Sequence, residues 1–263
     1  MDTLLQQAIL FGYPVHLVTC SQAAQYFQEV IQAKQNVHIV TLNPEMLMQG
    51  EQDPALGSIL KNASLVLPDG AGLVWALKTR GYRSVQRVPG IEFSEEALAI
   101  AAEKGYRVAL IGARPDVLDR AIANLQERYP GLQVVYAHHG FFESAEQEAA
   151  VAQACAETSP QLLLVALGVP KQEKWIAEFK PLFTQTVFIG VGGSLDVWSG
   201  VTRRAPWFFR TFNLEWLYRI TSEPWRIRRI SKTLPLFVVK VIMASITSPS
   251  LKPRTPTQNH EVS

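Results

Sequence analysis

An aspartate that ends an apolar run and opens a glycine-rich turn can take a proton from a hydroxyl held beside it. Asp69 stands this way in "LVLPDGAGLVWALK" (65–78), followed at once by Gly70. The same placement suits an N-cap for the helix that follows, and the two roles are compatible. "TLNPEML" (41–47) adds a hydroxyl and an amide, Thr41 and Asn43, and "QRVPGIEF" (86–93) adds a loop cation, Arg87. Asn-Pro alone is a common turn, and an isolated loop arginine is usually a solvated charge. An anionic leaving group nevertheless needs such a cation. In "LGVPKQEKWI" (167–176) a strand-like run ends at Gly168, Pro170 helps to open a helix, and Lys171, Gln172 and Glu173 fall in its first turn. Free amides and the helix dipole favour a phosphate there, although a cap-and-charge role alone would explain Glu173. "IGVGGSLDVWSG" (189–200) permits close backbone approach at Gly192 and Gly193, with Asp196 and Ser199 as polar lining.

The elements that must position these residues are short, consecutively apolar runs: "VHIVT" (37–41), "SLVLP" (64–68), "RVALIG" (107–112), "QVVYA" (133–137), "LLLVALG" (162–168) and "TVFIGVGG" (186–193). Runs without alternation suit strands buried on both faces. Helix-like segments lie between them, at 94–105 with Ser94 as a cap, 114–131, 144–160 and 171–183. The βαβα order predicts an α/β fold, a Rossmann-like, mostly parallel sheet with helices on both faces. Thr41, Asn43, Asp69, Gly112, His139, Gly168 and Gly192 all follow strand ends, where open α/β sheets bind ligands. They are therefore expected to form one site.

Charge divides the 263 residues unevenly. Residues 1–202 carry 14 Lys and Arg against 20 Asp and Glu, whereas 203–254 carry 11 basic residues against Glu215 and Glu223 alone. An acidic body and a basic C-terminal part meet different surroundings. The expected organisation is an α/β catalytic domain over 1–202, a basic, helical, amphipathic appendage over 203–246 and a polar, Pro-rich disordered tail over 247–263. Cys20 and Cys155 are too few and too far apart for a disulfide framework or a zinc site. The N-terminus has no basic stretch before its apolar residues, so no signal peptide is read there. The apolar run Leu234 to Ile246 contains Lys240 and, at 13 residues, falls short of the ~20 needed to span a bilayer. His138 and His139 have no third ligand at suitable spacing and read as structural. No Asp-x-Asp pair is present, so a bound diphosphate would rest on Arg, Lys and backbone amides rather than on a metal.

"LEWLYRITSEPWRIRRI" (214–230) interleaves Trp216, Tyr218 and Trp225 with Arg219, Arg226, Arg228 and Arg229. Arg219, Arg226 and Arg229 stand 7 and 3 residues apart, close to one helical face. Together with "TLNPEM", "PDGAGLVWA", "RVPG", "GVPKQEKW" and the long run "GVGGSLDVWSGVTRRAPWFFRTFNLEWLYRITSEPWRIRR", this stretch resembles the WecG/TagA/CpsF family, glycosyltransferase family 26, from about Thr41 to Ile230. The resemblance implies an inverting, metal-independent transferase without a cofactor. Such an enzyme moves N-acetylmannosamine or a related sugar from a UDP-sugar to a sugar on a polyprenyl diphosphate, for teichoic acid, cell-wall or surface polysaccharide synthesis. It implies Asp69 as catalytic base and Thr41 and Asn43 beside the donor sugar. Arg87 and Gln172 would lie around the reacting diphosphate, and Asp196 near the nucleoside. Gly70, Gly112, Gly168, Lys171, Gly192 and Gly193 complete the donor pocket expected from the strand ends. Glu92 stands where relatives commonly show Asp. Work at the cytoplasmic membrane face, as a peripheral protein, would explain the mixed chemistry of 214–230: aromatic rings at headgroup level, with Arg219, Arg226 and Arg229 on phosphates. A homo-oligomer stays open.

Two other readings compete. A nucleotide-dependent oxidoreductase would show G-x-G-x-x-G and an acid about 20 residues on, but Gly70-Ala71-Gly72 lacks the third glycine. A membrane-binding scaffold without activity would use the basic part and leave the polar rim unexplained. Nucleic acid is a poorer partner than lipid, because an apolar run follows the basic residues.

Overall fold

The computed structural model describes residues 5–211, 218 and 227–247. It begins with a hairpin, β1 (Gln7–Leu10) and β2 (Tyr13–His16), turned at Phe11 and Gly12. Both turn residues take positive φ, 52° and 82°, as a type I′ hairpin turn requires. There follow α1 (Cys20–Gln32), β3 (Val37–Leu42), α2 (Pro44–Gln52), α3 (Pro54–Lys61), β4 (Leu65–Pro68), α4 (Ala71–Thr79) and α5 (Gly90–Lys104). The chain continues through β5 (Arg107–Gly112), α6 (Pro115–Arg128), β6 (Gln133–His138), α7 (Ala145–Glu157), β7 (Leu162–Ala166), α8 (Lys171–Phe179), β8 (Val187–Gly190) and α9 (Ser194–Trp198). Two further helices, α10 (Trp207–Thr211) and α11 (Ile227–Thr247), belong to the basic C-terminal part.

Strands β3 to β8 make one sheet in the order β4-β3-β8-β7-β5-β6, and every neighbouring pair is parallel. The expected Rossmann-like architecture is present, with helices on both faces. Consecutive apolar residues are divided between those faces. Val37, Ile39, Leu65, Leu67, Val108, Leu110, Leu162, Leu164, Val187 and Ile189 pack with α1, α5, α6 and α9. On the other face, Val40, Leu42 and Val66 meet the hairpin, α2, α3, α4 and α11, while Ala109, Ile111, Leu163, Val165 and Phe188 meet α7 and α8. The hairpin also protects the sheet edge. The Val66 amide of edge strand β4 donates to His16 Nδ1 at 2.9 Å, and burial holds that imidazole below its ordinary pKa.

One boundary differs from expectation in a way that matters for the site. Ser94 does not cap its helix. α5 starts four residues earlier, at Gly90, and the Ser94 hydroxyl donates back to the Gly90 carbonyl at 2.8 Å. The helix N-terminus is thereby carried back to the end of β4.

Helix α11 docks on the second face. Phe237 and Val241 are buried in the same cluster as α2 and the hairpin, with Phe237 edge-on to Phe11 at 6.1 Å. Lys240 pairs with Glu51 of α2 and lies 4.8 Å from the Phe11 ring centre. Leu236, Val239, Ile242, Met243 and Ile246 stay exposed. Among the described residues no helix is long and apolar enough to cross a membrane. Residues 248–263, within the expected tail, lie outside the described residues.

Candidate active site

The ends of β3 and β4 lie side by side, with Thr41 paired to Leu67 and Leu42 to Pro68. The Asp69 amide donates to the Leu42 carbonyl at 2.8 Å, which prolongs the pairing by one residue. Gly70 then turns the chain at φ 87°. Of the two roles open to Asp69, capping α4 is removed. Gly70 is the N-cap of α4, and no side chain caps that helix. The Asp69 carboxylate turns instead to α5, where Oδ2 accepts from the Gly90 amide at 3.2 Å. The segment before α5 runs back along β4, its Val88 amide donating to the Pro68 carbonyl at 2.8 Å. That return brings Arg87 Nε to 3.6 Å from Asp69 Oδ1. The two side chains are 16% (Arg87) and 25% (Asp69) exposed, which leaves a ligand access to both.

Thr41 closes the group. A Cβ on Gly90 would fall 2.8 Å from Thr41 Oγ1, so only glycine lets the α5 N-terminus sit against this hydroxyl. Thr41, Asp69, Arg87 and Gly90 therefore converge from three segments far apart in sequence. Asn43 is adjacent and has a structural task, since its Oδ1 caps α2 by accepting from the Met46 amide at 2.9 Å. Pro44 beside it packs on Gly70 and Gly72.

Further along the rim, Gly192 follows β8 with φ 50° and donates its amide to Gln172 Oε1 at 3.0 Å. Gln172 is 2% exposed, so its side chain lies beneath the rim rather than on it. Gly168 takes φ 75° with open space where a Cβ would stand. Gly112 is demanded by close packing, because a Cβ would lie 2.4 Å from the Ala166 carbonyl oxygen. Lys171 points toward α7, with Nζ 4.8 Å from the Phe142 ring centre and 3.9 Å from Glu148. Gly193 precedes α9 as its N-cap, and half-buried Asp196 lies in the first turn of that helix. Ser199, read as lining, is instead buried, and its hydroxyl donates to the Asp196 carbonyl at 3.0 Å. His138 stacks on Phe142 at 5.7 Å. Among the described residues no group of three or more His, Cys, Asp or Glu is placed to hold a metal ion.

The rim order follows the sheet: Asp69 after β4, Thr41 and Asn43 at β3, Gly192 after β8, Gly168 after β7 and Gly112 at β5. Three steps of about 4.8 Å separate β4 from β7, so a ligand lying across them spans about 14 Å. Of the basic residues expected at the acceptor, Arg219 and Arg226 lie outside the described residues, and only the helical backbone of Arg229 is described. Two features of the site have no motif in the sequence: the contact at Gly90 and the buried pair His38 and Glu173, 2.7 Å apart. The available signal for that pair was a histidine inside an otherwise apolar strand, since a buried polar group requires a partner.

The family model for the glycosyl transferase WecG/TagA/CpsF family matches residues 8–250. An N-acetylglucosaminyldiphosphoundecaprenol N-acetyl-beta-D-mannosaminyltransferase of Staphylococcus aureus (strain MW2) is 37% identical over 213 residues, 81% of this chain and 82% of its own. The proteins of the same name in strains NCTC 8325 and MRSA252 are 37% and 36% identical over the same shares. Neither an oxidoreductase nor an inactive scaffold accounts for these matches. With its parallel sheet, and with an acid, a hydroxyl and a cation gathered at two adjacent strand ends, this chain belongs to the WecG/TagA/CpsF family and is a glycosyltransferase.

Proposed function

We propose that the enzyme transfers N-acetylmannosamine, or a close relative, from a UDP-sugar to N-acetylglucosamine on a polyprenyl diphosphate, in wall polymer or surface polysaccharide synthesis. The observation that carries this reading is the convergence of Asp69, Thr41 and Arg87 in a chain similar to transferases of that name. The acceptor hydroxyl oxygen attacks the anomeric carbon, the bond from that carbon to the diphosphate breaks, and UDP leaves. Asp69 takes the hydroxyl proton. Arg87 and rim amides stabilise charge on the departing diphosphate, with Asp196 toward the nucleoside end. A single displacement inverts the anomeric configuration. Incubating the purified protein with UDP-N-acetylmannosamine and a synthetic polyprenyl-diphosphate N-acetylglucosamine tests the reading. A disaccharide lipid is the expected product, and its absence across a panel of UDP-sugars rejects it.

No metal has a part in this scheme, because the residues at hand for the diphosphate are cations and amides. Transfer is expected to continue at an undiminished rate in excess EDTA. Loss restored by magnesium or manganese would overturn that account.

The C-terminal part is proposed to bring the acceptor to the site from an anionic membrane surface, with the protein peripheral at its cytoplasmic side. Both ends of the basic stretch are tied to helices that begin next to Asp69, α5 and α4. Before it, Arg204 bonds Glu92 at 2.9 Å and Glu95 at 3.3 Å on α5, the helix whose first amide holds Asp69. After it, the Phe237 ring packs at Gly72, in the first turn of α4. Trp207 and Phe208 are exposed at the start, and Leu236, Val239, Met243 and Ile246 form an exposed apolar stripe on α11. Such a stripe suits the headgroup boundary, and each basic residue near an anionic surface adds about 1 kcal/mol. Changing Arg219, Arg226 and Arg229 together to Ala is expected to reduce transfer even to a short, soluble diphosphate acceptor. Normal activity on that acceptor would make these arginines membrane anchors only.

A further inference from the structure

Strand β3 is apolar at Val37, Ile39, Val40 and Leu42, yet it contains His38, 5% exposed. His38 Nε2 lies 2.7 Å from Oε2 of Glu173, which sits in the first turn of α8 and is 1% exposed. The other carboxylate oxygen, Oε1, accepts from Gln172 Nε2 at 3.0 Å. Gln172 Oε1 in turn accepts from the Gly192 amide at 3.0 Å. A line of polar contacts therefore runs from the second residue of β3, through the start of α8, to the glycine loop after β8. Gly190 makes room for it. A Cβ there would fall 2.4 Å from Gln172 Nε2 and 2.6 Å from Glu173 Oε1.

A carboxylate buried this deeply is costly unless paired, and well-packed apolar residues often match such a pair in stability. What the line supplies is direction. A glutamine amide can point either way, but the Gly192 N–H needs an acceptor, so the oxygen must face the loop. An ionised carboxylate only accepts, so Glu173 requires the nitrogen to face it. His38 Nε2 stands 2.7 Å from the second carboxylate oxygen, a close contact that limits how Glu173 can turn. Gln172 is thereby fixed in the one setting that holds Gly192 at its positive φ.

We propose that His38 and Glu173 are positioning residues of the donor pocket, which set the Gln172 amide so that it keeps the Gly192–Gly193 loop shaped for the nucleotide-sugar. The donor part of this proposal rests on the transferase reading above; the loop part does not. Gln172 then acts on the donor through the loop.

Glu173→Gln keeps the shape and removes the acceptor-only character, and His38→Gln removes the partner from the opposite side. Amide hydrogen exchange of the peptide spanning 187–198, measured without ligand, is expected to quicken about 10-fold in each variant, the scale of one hydrogen bond to a charged group. The KM for the UDP-sugar is expected to rise by about the same factor, with kcat and acceptor KM little changed. The double variant should resemble either single one, because the residues act as a unit. Unchanged exchange overturns the proposal. So does faster exchange or a lower melting temperature with an unaltered donor KM, which would make the pair structural alone. A wild-type protein that transferred no sugar would sink the transferase reading and the donor part together, and the exchange measurement would still decide the loop.

Discussion

Asp69→Asn is expected to lower turnover at least ~100-fold, the loss that follows removal of a general base. Asparagine can still present an oxygen to the Gly90 amide, so the tie between the end of β4 and α5 persists. What disappears is the ability to take a proton, and the negative charge beside Arg87. Affinity for UDP should therefore change little while the chemical step slows. Single-turnover transfer, alongside UDP titration and thermal unfolding, separates these effects. Wild-type turnover in a folded Asp69→Asn protein would leave Asp69 only the task of holding α5.

The second large effect concerns stability. Phe237→Ala is expected to cost about 3–5 kcal/mol, as for other fully buried aromatic side chains cut back to alanine. Phe237 is completely buried between Phe11 of the hairpin turn and the Gly72 turn of α4. Its removal opens a cavity where α11 meets the body. Urea unfolding of the variant and the wild type measures the difference. A cost below about 1 kcal/mol would mean that α11 is not held on the body as described. Because Gly72 lies three residues from Asp69, transfer should also fall at temperatures where the variant remains folded.

Much of the frame was legible in the chain. Six apolar runs became the six parallel strands; in five of them most residues are buried, which leaves no alternation to confuse them with surface strands, while edge strand β6 is only half-buried. Ahead of and just after β3 the pattern is less plain: the hairpin, α1, α2 and α3 lie in stretches of mixed polarity. Local signals were there. Thr19 and Gln22 form a capping box on α1, and Asn43 and Asp53 cap α2 and α3. α5 starts earlier than its sequence suggests because Ser94 matches a cap by type, while the residues that start the helix, Pro89 and Gly90, carry no side-chain cap.

By itself the sequence determined the class of fold, the rim on which Asp69, Thr41 and Gly192 would lie, and the division between an acidic body and a basic end. Local pattern suffices for these, because strand burial, strand ends and charge blocks are written in consecutive residues. Only the tertiary structure decided where side chains point. It turned Asp69 away from the helix that follows it and onto the amide of Gly90, 21 residues later. It placed Arg87 beside that carboxylate, sank Gln172 beneath the rim and joined His38 to Glu173 across 135 positions. Each of these contacts depends on which strands become neighbours. Strand order is set by the packing of both sheet faces at once, which no single stretch of sequence contains.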